Sequence, residues 1–375
     1  MPAAFARLLQ RHWWRPRLTP LTALLAPLGW IVGAVAARRR AGARPQPLPV
    51  PVIVVGNVIV GGAGKTPTVI ALVAQLRRWG FVPGIVSRGH GRADAQALLL
   101  DASTPPAAAT PGAFGDEPLL MHRRTGAPVA VARQRREAAL RLLAAHPEVD
   151  VIVADDGLQH HALARDVELV VFDGRGLGNG WPLPAGPLRE RACDIWPPSA
   201  GADTPHRFIL VNGGWPAPPA RALPAPAVRC FEARRALGGA APLAEWSRGA
   251  VATPQALAAL RGRPLVAAAG IGDPRRFFAM LQAHGLSITP LPLPDHASFD
   301  TLPWPDGTAD VIVTEKDAVK LAQRSIGATR VWVATLDFDL PDDLARALRG
   351  AMPARPEPAP GLQLHPPPSP PALSS

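Results

Sequence analysis

The 375 residues are 47% hydrophobic and 18% charged, which excludes a disordered polyelectrolyte and allows two domains with sizeable cores. Two cysteines, Cys193 and Cys230, stand in no CxxC or CxxH spacing, which excludes a disulfide scaffold, a zinc ribbon and an iron–sulfur protein. A formal charge of +11 would suit a nucleic-acid binder, but eight arginines and no acid fall in residues 1–44. Only +3 is left for the other 331 residues, so no basic groove runs along the body.

The chain opens with an apolar stretch, residues 18–37, set between Arg7, Arg11, Arg15 and Arg17 and the cluster Arg38, Arg39, Arg40 and Arg44. Twenty helical residues reach about 30 Å, the depth of a bilayer core, and Trp13 and Trp14 resemble interfacial anchors. Pro20 and Pro27 would break or kink that helix. Three readings stand. A signal peptide could be cleaved after Ala34-Val35-Ala36, although the arginines that follow oppose export. The segment could be a buried domain helix. A membrane-associated helix is favoured by the arginines beside it, whether it spans the bilayer or lies in its interface.

The body alternates β-branched runs with helical periodicity, the pattern of parallel α/β layers. It predicts strands over 50–55, 82–86, 128–132, 149–154 and 168–172, with helices over 66–79 and 135–145. Residues 174–206, rich in glycine, proline and tryptophan, read as a long functional loop. Strands over 207–211 and 227–232 flank a proline-rich junction. A second set follows, with strands over 264–269, 288–293, 310–314 and 330–334 and a helix over 274–284. The expected fold is an α/β P-loop-type parallel-sheet domain over 45–225 and a smaller α/β/α domain over 226–350. They are preceded by the membrane-associating segment 1–44. Residues 351–375, nine of them proline, read as a disordered tail.

The strongest chemical signal is Gly61-Gly62-Ala63-Gly64-Lys65-Thr66, a glycine-rich turn that follows a strand and opens a helix. Glycines let backbone N–H groups converge on phosphate oxygens, and the helix N-terminus adds positive potential. Lys65 can reach the β- and γ-phosphates and Thr66 can ligate Mg²⁺. Ile59 stands where the common pattern has glycine. Only three lysines occur (Lys65, Lys316 and Lys320) among 37 arginines, so lysine stands where something requires it. An apolar strand ending in Asp155-Asp156 matches a Walker B arrangement.

Gly115-Asp116-Glu117-Pro118 is either a helix cap or an acid aimed at chemistry. Asp295-His296 and Thr314-Glu315-Lys316-Asp317 fall in the second domain, and the latter lacks the Asn-Lys-x-Asp spacing of guanine-reading GTPases. His160-His161 is no metal site, because adjacent loop side chains seldom share one ion.

GGAGKTP (61–67), SRGHGR (87–92), GDEP (115–118), DDGLQH (155–160), DGRGLGNGWPLPAGPLRE (173–190), Asp295-His296 and TEKDAVK (314–320) occur in one order. Together, over roughly residues 10–350, they resemble the tetraacyldisaccharide 4′-kinase family of lipid A synthesis in Gram-negative bacteria. The resemblance implies two α/β/α domains with a two-stranded β linker and an N-terminal membrane-binding helix at the cytoplasmic face of the inner membrane. It implies ATP-dependent, Mg²⁺-assisted phosphorylation of the 4′-hydroxyl of a tetraacylated glucosamine disaccharide 1-phosphate, giving lipid IVA, with no nucleic acid and no protein partner required.

It further implies that Gly61, Gly62, Ala63, Gly64, Lys65 and Thr66 hold ATP. Asp155 and Asp156 would shape its site, with Thr66, Asp156 and Glu190 as metal ligands. Asp116 would be the base on the sugar hydroxyl, His296 its partner and Lys65 a further catalytic group. Ser87, Arg88, Arg135, Gln159, Arg189 and Glu190 would line the cleft for substrate. His90 stands where the family commonly has tyrosine, Leu158 where it often has an aromatic residue, and His161 where it often has tyrosine. Two rivals remain: a membrane-associated regulatory or assembly ATPase with no lipid substrate, and a nucleic-acid-binding P-loop ATPase.

Overall fold

The computed structural model describes residues 3–92, 96–195, 205–213, 229–295 and 297–353. The N-terminal segment forms α1 (Ala3–Trp13), α2 (Pro20–Leu24) and α3 (Ala26–Ala41). The twenty residues 18–37 are therefore not one helix. Pro20 and Pro27 each occupy a first turn, where the missing N–H costs nothing, so the chain restarts at each. Thr19 and Thr22 close a reciprocal cap on α2. Among the described residues no helix is long and apolar enough to cross a membrane.

One face of α3 is pressed onto the body: Gly29 and Gly33 lie against Pro182, Ala185 and Arg191 so closely that a Cβ at either would collide. The other face leaves Trp30, Ile31, Leu28 and Val35 exposed, and Leu24 of α2 is exposed with them. Trp13 is not an interfacial anchor. It is buried, with Nε1 donating to the Pro184 carbonyl at 2.9 Å, and the neighbouring Trp14 ring is covered by the Arg175 guanidinium.

From there the chain runs β1 (Val52–Gly56), α4 (Lys65–Arg78), β2 (Pro83–Ser87), β3 (Leu98–Leu100), α5 (Pro111–Phe114), α6 (Asp116–Thr125), β4 (Val129–Val131) and α7 (Arg135–Ala145). It continues through β5 (Val151–Asp155), β6 (Val167–Asp173), α8 (Ala192–Ile195), β7 (His206–Asn212) and β8 (Arg229–Ala233). These eight strands form one sheet in the order β3-β4-β2-β5-β1-β6-β7-β8, parallel except for β3. Strands β1, β2, β5 and β6 are buried along their whole length, as expected of strands covered on both faces. The connections run to one side of β1 until β5 and to the other side from β6. The C-terminal end of β1 is thus the switch point where open α/β sheets bind ligands.

The second sheet is built from β9 (Arg235–Pro242), β10 (Pro264–Ala269), β11 (Ser287–Pro292), β12 (Asp310–Thr314) and β13 (Arg330–Phe338), in the order β11-β10-β12-β13-β9. Helices α9 (Leu243–Ser247), α10 (Pro254–Ala258), α11 (Pro274–Ala283) and α12 (Glu315–Leu321) accompany it, and α13 (Asp342–Ala351) ends the described chain.

The boundary expected at 226 shifts: β8 pairs with β7 and closes the first sheet, with Phe231 packed edge-on to Phe208 at 6.1 Å, and the second sheet starts at Arg235. Strand β9, with its sequence RALGGAAP, carries no β-branched residue to announce it. It is held antiparallel by the long β13. The chain crosses between the two units twice, and the crossings pair at Leu237↔Leu336, Ala236↔Asp337 and Arg235↔Phe338. After the second crossing α13 returns to the first unit, where Arg349 stacks over Trp79 and Phe81. The tail beyond Pro353 lies outside the described residues.

Candidate active site

The glycine-rich turn leaves the end of β1 at the switch point. Asn57 is fully buried and donates to the Gly61 carbonyl at 3.0 Å, closing the turn. Gly64 has φ +93°, and a Cβ there would collide with the Arg235 guanidinium and the Asn212 amide. Both side chains donate to the Ala63 carbonyl, at 3.0 and 2.7 Å. Across a planar trans peptide the Gly64 N–H points the opposite way, away from those donors. Helix α4 starts at Lys65 with no side-chain cap, leaving its first N–H groups to a ligand. Lys65 Nζ donates to Asn57 Oδ1 at 3.2 Å and lies 3.5 Å from Asp156 Oδ1. Ile59 is not glycine because its side chain is fully buried, and its backbone bridges to Leu188 in the long loop.

Strand β5 delivers the acid pair. Ser87 Oγ donates to Asp155 Oδ2 at 3.0 Å, while Asp155 Oδ1 is buried with no hydrogen-bond partner among the described residues. Burial, with Glu117 and Asp156 close by, pushes the Asp155 carboxyl up to about 7 despite Lys65 and Arg135. Asp156 takes a left-handed backbone, φ 48°, a conformation that costs a non-glycine residue energy and concentrates at functional sites. Its burial would raise it, but Lys65, Arg189 and Arg135 outweigh that and hold it below the usual carboxylate value. Arg189 Nη1 donates to Asp156 at 3.0 Å and to Gln159 Oε1 at 3.2 Å.

Three residues expected at the substrate do something else. Ser87 and Arg135 are buried beneath the site: Arg135 donates to the Asp155 and Asp156 carbonyls and props the strand end. Glu190 accepts from Gln159 Nε2 at 2.9 Å and faces Arg40 of α3 at 3.7 Å, so it ties the N-terminal segment to the site and is not placed as a metal ligand. Arg88 is exposed at the end of β2. His160 and His161 are held down to about 4 by burial and nearby arginines and stay neutral.

Among the described residues no group of three or more His, Cys, Asp or Glu forms a metal cage. Mg²⁺ does not need one: it commonly takes one or two carboxylates and completes its shell with phosphate and water. The partnerless Asp155 oxygen, the Asp156 carboxylate and the Thr66 hydroxyl fit that chemistry.

The second unit completes the site. Asp116 begins α6, buried, with Oδ1 accepting from the Glu117 N–H at 3.2 Å. Helix α12 opposes it, started by Thr314, whose hydroxyl accepts from the Asp317 N–H. Lys316 and Lys320, one turn apart on α12, each bring Nζ to 4.0 Å from Asp116 Oδ2. Lys316 also reaches Glu117 at 3.2 Å and Asp295 at 3.4 Å. Burial alone would lower its ammonium, but these carboxylates raise it above the ordinary lysine value.

Two cavities are lined by neighbouring residues of this cluster. One, of about 190 Å³, is lined by the glycine-rich turn, Lys65, Thr66, Glu117, Arg276 and Lys316, with an apolar wall that includes Ile271, Phe277, Met280 and Phe338. The other, of about 480 Å³, is lined by His90, Thr110, Asp116, Ser298, Lys320 and Arg324. Asp116 faces the second and its neighbour Glu117 the first.

His296, expected beside Asp116, lies outside the described residues. Several contributors were not singled out from sequence: Asn57, Glu117, Asn212 and Arg235 were given no role, and Lys316 and Lys320 only a motif. The scarcity of lysine pointed to the last two. Nothing in the sequence marked Asn212 and Arg235, which act only because two sheets bring them to one carbonyl.

A family model described as tetraacyldisaccharide-1-P 4′-kinase matches residues 21–353. The chain is 53% identical over 331 residues to the tetraacyldisaccharide 4′-kinase of Methylibium petroleiphilum, covering 86% of this chain and 87% of that one. It is 52% identical over 340 residues to the protein of the same name from Leptothrix cholodnii, covering 88% and 92%. Among solved structures, "apo" form LpxK from Aquifex aeolicus in complex with ATP shares the fold at a TM-score of 0.68 and 23% identity, covering 88% of this chain and 99% of that one. On the extent of these matches, the chain belongs to the tetraacyldisaccharide-1-P 4′-kinase family.

Proposed function

We propose that this chain transfers the γ-phosphoryl group of ATP to the 4′-hydroxyl of tetraacyldisaccharide 1-phosphate across the wall between the two cavities. The observation that carries this reading is Asp116. It is buried at the second cavity, one residue from Glu117 at the first, and flanked by two lysines. A switch ATPase has no need of an acid between two chambers.

ATP lies in the first cavity. The glycine-rich turn and the uncapped start of α4 act as a phosphate-binding loop, Lys65 neutralises the β- and γ-phosphates, and the apolar wall takes the base. Thr66, Asp155 and Asp156 would hold Mg²⁺, which when bound supplies charge neutralisation on the phosphates. Asp116 accepts the proton of the acceptor hydroxyl as it attacks, and Arg189 keeps Asp156 turned toward Lys65.

The acyl chains remain in the cytoplasmic face of the inner membrane. The exposed apolar side chains of α2 and α3 enter that interface, beside arginines that meet anionic headgroups. The enzyme thus lies on the membrane without spanning it.

Incubation with γ-labelled ATP, with and without the disaccharide lipid, followed by thin-layer separation, tests the proposal. Label is expected in the lipid and to depend on it. ATP hydrolysis at the same rate without lipid, and no labelled lipid, would restore the regulatory-ATPase reading.

A further inference from the structure

Lys316 and Lys320 point at one oxygen of Asp116 but differ in what else holds them. Lys316 is shared among Asp116, Glu117 and Asp295. Lys320 is more buried, and its Nζ makes no hydrogen bond among the described residues. Among the described residues its charged partners are Asp317 at 3.2 Å, one turn back on its own helix, and Asp116 at 4.0 Å. Asp317 is already committed to the fold: Oδ2 accepts from the Gly270 N–H at 2.9 Å and from the Thr314 hydroxyl at 2.7 Å. The Lys320 stem passes the Phe299 ring, with Nζ 5.3 Å from its centre, which limits where the ammonium can go. It therefore sits between a structural acid and Asp116, on the wall of the second cavity. A chain that uses arginine 37 times keeps a lysine here, a compact ammonium on a flexible stem.

We infer that Lys320 is a positioning residue for Asp116: an ammonium carried by the second unit that fixes the carboxylate of the first, so that the base takes its working orientation only when the units are in contact. This rests on the reading of Asp116 as the base. The separation of 4.0 Å is at the outer edge of an ion pair, close enough for the ammonium to orient the carboxylate. Lys316, which lines the first cavity and is held by three acids, steadies the nucleotide side.

The test is a double-mutant cycle on the full chain, with ATP and tetraacyldisaccharide 1-phosphate in mixed micelles and thermal melting as a check on folding. Lys320→Met keeps the stem against Phe299 and removes the charge; Lys320→Gln replaces it should the first variant not fold. Asp116→Asn alone is expected to lower kcat by about 10²-fold or more. Lys320→Met alone is expected to lower kcat by about 10-fold or more, with KM for ATP within about twofold of the parent. The double variant should be no slower than Asp116→Asn, because Lys320 acts only through that carboxylate. Lys320→Arg should recover part of kcat.

Effects that multiply in the double variant would overturn the inference, since Lys320 would then act on its own. So would a Lys320→Met protein with a lowered melting point but unchanged kcat, which would leave only a counter-ion to Asp317. A normal kcat in Asp116→Asn would overturn the base reading itself and the inference with it. A slow Asp116→Asn beside an unaffected Lys320→Met would remove the inference alone.

Discussion

Each of the three lysines stands against a carboxylate at the edge of a cavity: Lys65 against Asp156, Lys316 against Glu117, and Lys320 against Asp116. Among the described residues Lys65 is held by Asn57 and Asp156, and it lines the first cavity, so on the proposed reading phosphate can recruit it without dismantling the fold. Lys65→Ala is expected to lower kcat by about 10²-fold or more in a steady-state assay while the melting temperature holds. Gly64→Ala acts differently. Its Cβ meets Arg235 and Asn212 at a positive φ, so the turn must distort, and loss of ATP binding by calorimetry should exceed the loss of stability. That Lys65, Thr66 and the acid pair gather at the ends of β1 and β5 was legible from sequence, because a glycine-rich turn and an apolar strand ending in two acids mark those ends by residue type and spacing. Ser87 and Arg135 were misplaced because a motif shows which residues lie near a site, not which face of the strand end they occupy. Burial decides that, and both are buried.

At the scale of elements, sequence patterning found the buried strands, whose β-branched runs are their own signal, and three ranges agree to the residue: 135–145, 264–269 and 310–314. It missed β9 and the short β3, which exist because a neighbouring strand recruits them. In the N-terminal segment hydropathy overstated the case. Two prolines divide the stretch, and its small residues dock on the body while its large ones remain outside. Trp30 is 63% exposed and Ile31 52%, so Trp30→Glu with Ile31→Glu should leave the melting temperature unchanged. Each large apolar side chain is worth about 1.5–3 kcal/mol on full burial, so the pair should weaken binding to anionic vesicles by about 10-fold or more in a sedimentation assay. Vesicle binding unaffected by the double substitution would assign the membrane contact to another surface.

At the scale of the molecule, two sheets joined by a pair of antiparallel crossings converge on one site, and side chains bridge them. Arg124 of α6 donates to Glu315 of α12 at 2.6 Å. Burial raises the Glu315 carboxyl above its ordinary value, and Arg124 only partly offsets that. A carboxyl raised on folding contributes most stability below its unfolded value near 4.5, and that contribution is lost as pH rises through the folded value. Removing the arginine leaves the charge unpaired, so Arg124→Met should cost about 3–5 kcal/mol in denaturant unfolding at neutral pH, and less near pH 4. An equal cost at both values would show that the pair carries no buried charge. This contact was not legible, because residues 124 and 315 belong to separate units and only the packing of α6 on α12 joins them.

The measurement closest to the centre is the separation of turnover from nucleotide affinity in Asp116→Ala. Substrate-dependent kcat should fall by about 10²-fold or more, while the ATP dissociation constant stays within about twofold, because the carboxylate lines the second cavity, proposed for the acceptor, and not the one at the glycine-rich turn. A near-normal kcat, or a collapse of ATP binding with turnover following it, would contradict the assignment of Asp116 as the base.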